Sequence, residues 1–190
     1  MTTVDSPTAS KVAPALRRLY FVRFAFAIVW AILLFVTTKA GLSPAGVALI
    51  VLYPLFDVAA AVVDARSSRI GTSVRRLYVN IVISSLATIG VAIGSASGVP
   101  AVLRVWGAWA ILAGLVQLIV ALVRRTMGGQ WPMILSGGIS VLAGVSFVVG
   151  ASAANPSLSN VAGYAVLGGL FFLVSALRLG RAQGRATGES

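Results

Sequence analysis

One acidic residue stands where acids rarely stand. Asp57 lies inside the apolar stretch Leu55-Phe56-Asp57-Val58-Ala59-Ala60-Ala61. The ionised form costs at least ~2.5 kcal/mol at the centre of a membrane helix. It therefore needs a proton, a bound cation, or a hydrogen-bonded partner. Two readings follow. Asp57 is a proton or cation site, or it ties helices together through Arg23, Asn80 or Gln117. Gln117 stands 60 residues downstream, at the matching place of an internal repeat.

Little else could do chemistry. The chain has no histidine and no cysteine. The commonest general base, the commonest metal ligand and all thiol chemistry are thus missing. Asp64, beside Arg66, reads as a headgroup-level carboxylate. No phosphate-binding loop and no nucleophile–base pair is visible. The sequence predicts no catalytic, cofactor-binding or metal site, and a non-enzymatic protein.

Composition says what must position these residues. Of 190 residues, 58% are hydrophobic and 10% charged. Soluble domains carry roughly 25% charged residues. A water-soluble globule of this size could not hide so much apolar surface. Lipid as the solvent removes the difficulty.

A spanning helix needs about 20 apolar residues. Six segments qualify, at 19–38, 43–63, 77–94, 100–123, 131–150 and 158–177. Gly41-Leu42-Ser43-Pro44, Ser95-Ala96-Ser97-Gly98-Val99-Pro100, Gly128-Gly129 and Asn155-Pro156 read as the breaks between them. The predicted fold is an all-α polytopic membrane protein. Residues 1–18 form a polar N-terminal tail, 19–178 the transmembrane domain, and 179–190 a polar C-terminal tail. A lysine inside Thr38-Lys39-Ala40 makes a poor cleavage site, so the first segment reads as part of the fold.

The net charge is +11, from 15 Lys+Arg against 4 Asp+Glu. Its distribution matters more than its size. Lys11, Arg17, Arg18 and Arg23 precede or begin the first segment. Arg66, Arg69, Arg75 and Arg76 lie between the second and third. Arg124 and Arg125 lie between the fourth and fifth, and Arg178, Arg181 and Arg185 follow the sixth. Only Lys39 and Arg104 fall on the other side. Arginine-rich short loops stay in the cytoplasm. The pattern predicts a multi-pass protein of the plasma membrane with both termini cytoplasmic. Membrane lipids, anionic at the cytoplasmic face, are the predicted partners. A protein partner or a homo-oligomer is the further candidate, and nucleic acid is not. Tyr20, Tyr78 and Trp131 on one side, with Trp106 on the other, suit an interfacial aromatic belt.

The chain also resembles itself. Leu16-Arg17-Arg18-Leu19-Tyr20-Phe21-Val22 returns 58 residues later as Val74-Arg75-Arg76-Leu77-Tyr78-Val79-Asn80. Trp109-Ala110-Ile111-Leu112-Ala113-Gly114-Leu115 returns 55 residues later as Tyr164-Ala165-Val166-Leu167-Gly168-Gly169-Leu170. The unit is a helical hairpin, so the six helices read as three repeated hairpins in parallel orientation. Small residues recur at four-residue spacing and predict close helix packing. They are Ala110 and Gly114, Ser136, Ser140 and Gly144, and Ala165 and Gly169. Asn80, Ser84, Thr88 and Ala92 make a similar stripe.

Three stretches carry a resemblance to a known family. They are Gly107-Ala108-Trp109-Ala110-Ile111-Leu112-Ala113-Gly114-Leu115, the run from Trp131-Pro132-Met133 through Ser136-Gly137-Gly138-Ile139-Ser140 to Gly144, and Gly163-Tyr164-Ala165-Val166-Leu167-Gly168-Gly169. Over about residues 100–180 the chain resembles the HdeD-like family, bacterial membrane proteins built from a short repeat. Helices one to three match more loosely, and Pro54 stands where the repeat would put Gly114. The resemblance implies an envelope or stress-response role, since the family is associated with acid resistance in enteric bacteria. It carries no catalytic residues over. The alternatives are a small transporter or channel using Asp57, and an accessory subunit of a larger membrane complex.

Overall fold

The computed structural model describes residues 7–39, 41–67, 72–123 and 131–188. These form α1 (Pro7–Thr37), α2 (Pro44–Ser67), α3 (Thr72–Ser95), α4 (Val99–Val123), α5 (Trp131–Gly150) and α6 (Ser159–Gly188). Each contains a stretch long and apolar enough to cross a membrane, the first being Arg17–Thr37 and the last Ser159–Arg178. The chain is thus an all-α polytopic membrane protein. Helices are the natural state there, because every backbone N–H and C=O is satisfied within the segment. Arg69, Arg124, Arg125 and the Gly128-Gly129 turn lie outside the described residues. So do the side chains of Lys11, Asp64, Arg75, Arg76 and Arg185.

Local chemistry sets the helix ends. α2 opens with Pro44 in its first position, where the missing N–H costs nothing. Ser43 Oγ caps it by accepting the Gly46 N–H at 3.1 Å. Gly98, at φ +86°, lets the chain turn sharply from α3 into α4. Pro54 lies within α2 and leaves the Ile50 carbonyl without its helical donor. On the neighbouring carbonyl, Leu49 O accepts a bond from Trp30 Nε1 at 2.6 Å.

The helices pack in chain order, and α6 returns to pack on α1, so the six close into a ring. The most extensive packing joins α4 to α5, α1 to α6 and α2 to α3. Packing inside the hairpins α1–α2, α3–α4 and α5–α6 is slighter. The buried core includes Trp30, Leu34, Ile50, Val91, Trp106, Leu158 and Val161. The outer faces are apolar and open, with Leu142 72% exposed and Ile93, Val149 and Leu86 close behind. Water would oppose that arrangement, and hydrocarbon does not.

One feature extends the sequence reading and one corrects it. Within the polar tails, residues 7–18 and 179–188 are helical, since α1 starts at Pro7 and α6 runs to Gly188. Polar residues did not end the helices there. Pro7 is well placed as a first helical residue, and Ala, Leu and Arg favour continuation. Trp106 is not at an interface. It is fully buried and stacks on Trp30 at 5.6 Å between ring centroids. Trp131 and Tyr78 are exposed near helix starts.

Candidate functional site

Asp57 receives three donors from two neighbouring helices. Arg23 Nη2 of α1 donates to Oδ1 at 2.7 Å. From α3, Asn80 Nδ2 and Ser84 Oγ donate to Oδ2 at 2.7 and 2.8 Å. Ser84 also accepts from Trp109 Nε1 of α4 at 3.2 Å, so the network reaches a fourth helix. The Arg23 guanidinium lies 4.8 Å from the centre of the Phe172 ring of α6, a cation–π contact.

Helical periodicity assembles the site. Tyr53 and Asp57 share one face of α2, four residues apart. Asn80 and Ser84 do the same on α3, and Arg23, Phe26 and Trp30 line one face of α1. The polar centre then sits against a wall of aromatic rings. Phe26 stacks on Phe56 at 3.8 Å, Trp30 meets Tyr53 edge-on at 4.5 Å, and Trp106 meets Trp109 edge-on at 4.9 Å. Such a wall lowers the local dielectric and strengthens the ion pair. The pair is partly shielded, with side chains 14% (Arg23) and 21% (Asp57) exposed.

No protein-family model, curated protein or solved structure matches the chain. The geometry therefore carries the functional reading by itself.

The residues singled out from sequence separate into two groups. Asp57, Arg23 and Asn80 come together. Gln117 sits half-buried on α4 and is not among the partners of Asp57. The small residues crowd the helix seams. A Cβ added to Gly114 would lie 2.7 Å from Gly137 O, and one at Gly144 would lie 2.6 Å from Gly107 O. These contacts bring the backbones of α4 and α5 together at two points, seven residues apart on each helix. Ala110 and Ser140 are buried, whereas Ser136 is only half-buried. On α6, Ala165 is buried, and a Cβ at Gly169 would lie 3.2 Å from Ala27 Cβ of α1.

A second polar contact echoes the first. Tyr164 Oη of α6 donates to Ser140 Oγ of α5 at 2.9 Å. Trp109 and Tyr164 are the repeat partners 55 residues apart, and each donates to a serine of the preceding helix. Sequence reasoning missed the aromatic wall. The available signal was that Trp30, Tyr53, Trp106 and Trp109 fall inside apolar segments rather than at their margins.

Chemically, the arrangement holds a carboxylate in place. Oδ1 is bound to a permanent cation and Oδ2 to two neutral donors. A carboxylate with these partners is a strong crosslink between helices.

Proposed function

We propose that this is a non-enzymatic, multi-pass inner-membrane protein of the HdeD-like class, a stress-response or envelope accessory protein, with Asp57 as a fastener between helices. The observation that supports the fastener role is that the carboxylate accepts from Arg23, Asn80 and Ser84, whereas the HdeD-like class rests on the resemblance over about residues 100–180. A transport residue must exchange its proton or ion. Here that exchange would first break an intramembrane ion pair.

Reconstituted protein tests the reading. Proteoliposomes should show no proton or cation flux that depends on Asp57. The Asp57→Asn variant should keep any envelope-stress protection that wild type confers, provided equal amounts reach the membrane. Flux abolished in Asp57→Asn, with the protein still assembled, contradicts it.

The competing reading is a small transporter or channel with Asp57 as its proton or cation site. One observation favours it: the Asp57 side chain remains 21% exposed. The same flux measurement separates the two.

A further inference from the structure

The ring of helices closes where no loop ties it. α1 and α6 are the first and last helices, and they pack extensively along one seam. At one end that seam gathers positive charge. Arg17 and Arg18 come from α1, and Arg178 and Arg181 from α6. Among the described residues the ion pair is Arg23–Asp57, and none of these four arginines shares it. Like charges brought together at the edge of a low-dielectric slab repel, and the repulsion acts on the contact that closes the ring.

Arg17 is held in a definite place. Its guanidinium lies 5.5 Å from the centre of the Phe21 ring. It also rests against Gly180 of α6, where an added Cβ would lie 2.9 Å from Arg17 Cζ. Its Nε is buried and has no hydrogen-bond acceptor among the described residues. A buried donor left unpaired is costly, and a charged one more so. Arg18 follows it on α1, and Arg178 and Arg181 lie within a turn of Gly180 on α6; all three are exposed.

The level of the site identifies the ligand. The apolar span of α1 begins at Arg17 and that of α6 ends at Arg178. These residues therefore lie where the hydrocarbon core meets the headgroups. Exposed Val22 on α1, and Val174 and Leu177 on α6, offer surface for acyl chains a turn or so deeper. We infer that this end of the α1–α6 seam binds the phosphate of an anionic phospholipid, which bridges the arginines of the two helices and holds the ring closed. Arg17 is the central ligand, and Gly180 is the positioning residue that leaves room for its guanidinium. The inference goes beyond the proposed function and depends neither on the role of Asp57 nor on which leaflet the arginines face.

Thermal unfolding of the full chain in neutral detergent tests it, with phosphatidylglycerol, phosphatidylcholine or inorganic phosphate added in separate arms. Phosphatidylglycerol should raise the midpoint, and the other two should not. Arg17→Gln should remove at least half of that rise. Gly180→Leu should do the same, because it displaces the flexible end of Arg17 without changing the charge. Arg104→Gln, outside this cluster, should leave the rise intact. An equal rise with inorganic phosphate overturns the lipid assignment. A full phosphatidylglycerol rise in both Arg17→Gln and Gly180→Leu overturns the site, as does no rise in wild type.

Discussion

Arg23 and Asp57 meet across the α1–α2 boundary at 2.7 Å, deep enough that neither charge can be removed alone without cost. Replacing either partner with leucine leaves the other charge unpaired in a largely apolar setting. Each single variant should lose about 3 kcal/mol of stability. Asp57→Asn should lose less, because the amide oxygen still accepts from Asn80 or Ser84. Unfolding midpoints in one detergent check both statements.

The α4–α5 seam should tolerate no side chain at its crossing points. A Cβ at Gly107 or Gly144 would lie 2.6 Å from a backbone carbonyl of the other helix. Gly107→Leu and Gly144→Leu should therefore abolish folded protein in the membrane fraction. Gly138→Leu, where an added Cβ meets nothing within 4 Å, should be recovered at wild-type level. Size-exclusion profiles after detergent extraction distinguish the three.

The two aromatic–serine bonds should each contribute modestly. Interhelical hydrogen bonds in membranes average roughly 0.6 kcal/mol. Tyr164→Phe removes only the hydroxyl that Ser140 accepts from. It should cost about that much and leave the ring packing with Phe147 in place. Ser84→Ala should cost more, since Ser84 both donates to Asp57 and accepts from Trp109. Midpoint shifts in that order support the account.

Topology is open to a direct check. The arginine distribution predicts cytoplasmic termini, which would place residues 66–76 inside and Gly41 and Gly98 outside. Single cysteines introduced at Ser67 and Ser97 make good reporters, because the chain has no cysteine of its own. A membrane-impermeant thiol reagent applied to intact cells should label position 97 and spare position 67. The reverse pattern contradicts the orientation.

The sequence made much of this legible, and the reasons are physical. Length and apolarity locate the six helices, since a bilayer admits few alternatives to a helix of about 20 residues. Asp57 is conspicuous because an intramembrane acid is costly, and Arg23 and Asn80 lie about one turn into the apolar segments that begin at 19 and 77, on the same side. Gln117 misled because repeat-related positions share a depth but not a neighbour. The ring places Ser84 of α3, not Gln117 of α4, against the carboxylate. The Trp30–Trp106 stack was hidden for a similar reason. Which faces meet depends on helix rotation, and hydrophobicity says little about rotation when every face is apolar.

The most direct test is a double-mutant cycle on Arg23 and Asp57, reading unfolding free energy for wild type, Arg23→Leu, Asp57→Leu and the double variant. A fastener predicts strong coupling: the double variant should lose clearly less than the two single losses combined, by at least about 1.5 kcal/mol. Additive losses, with coupling near zero, would contradict the claim that this ion pair holds the helices together.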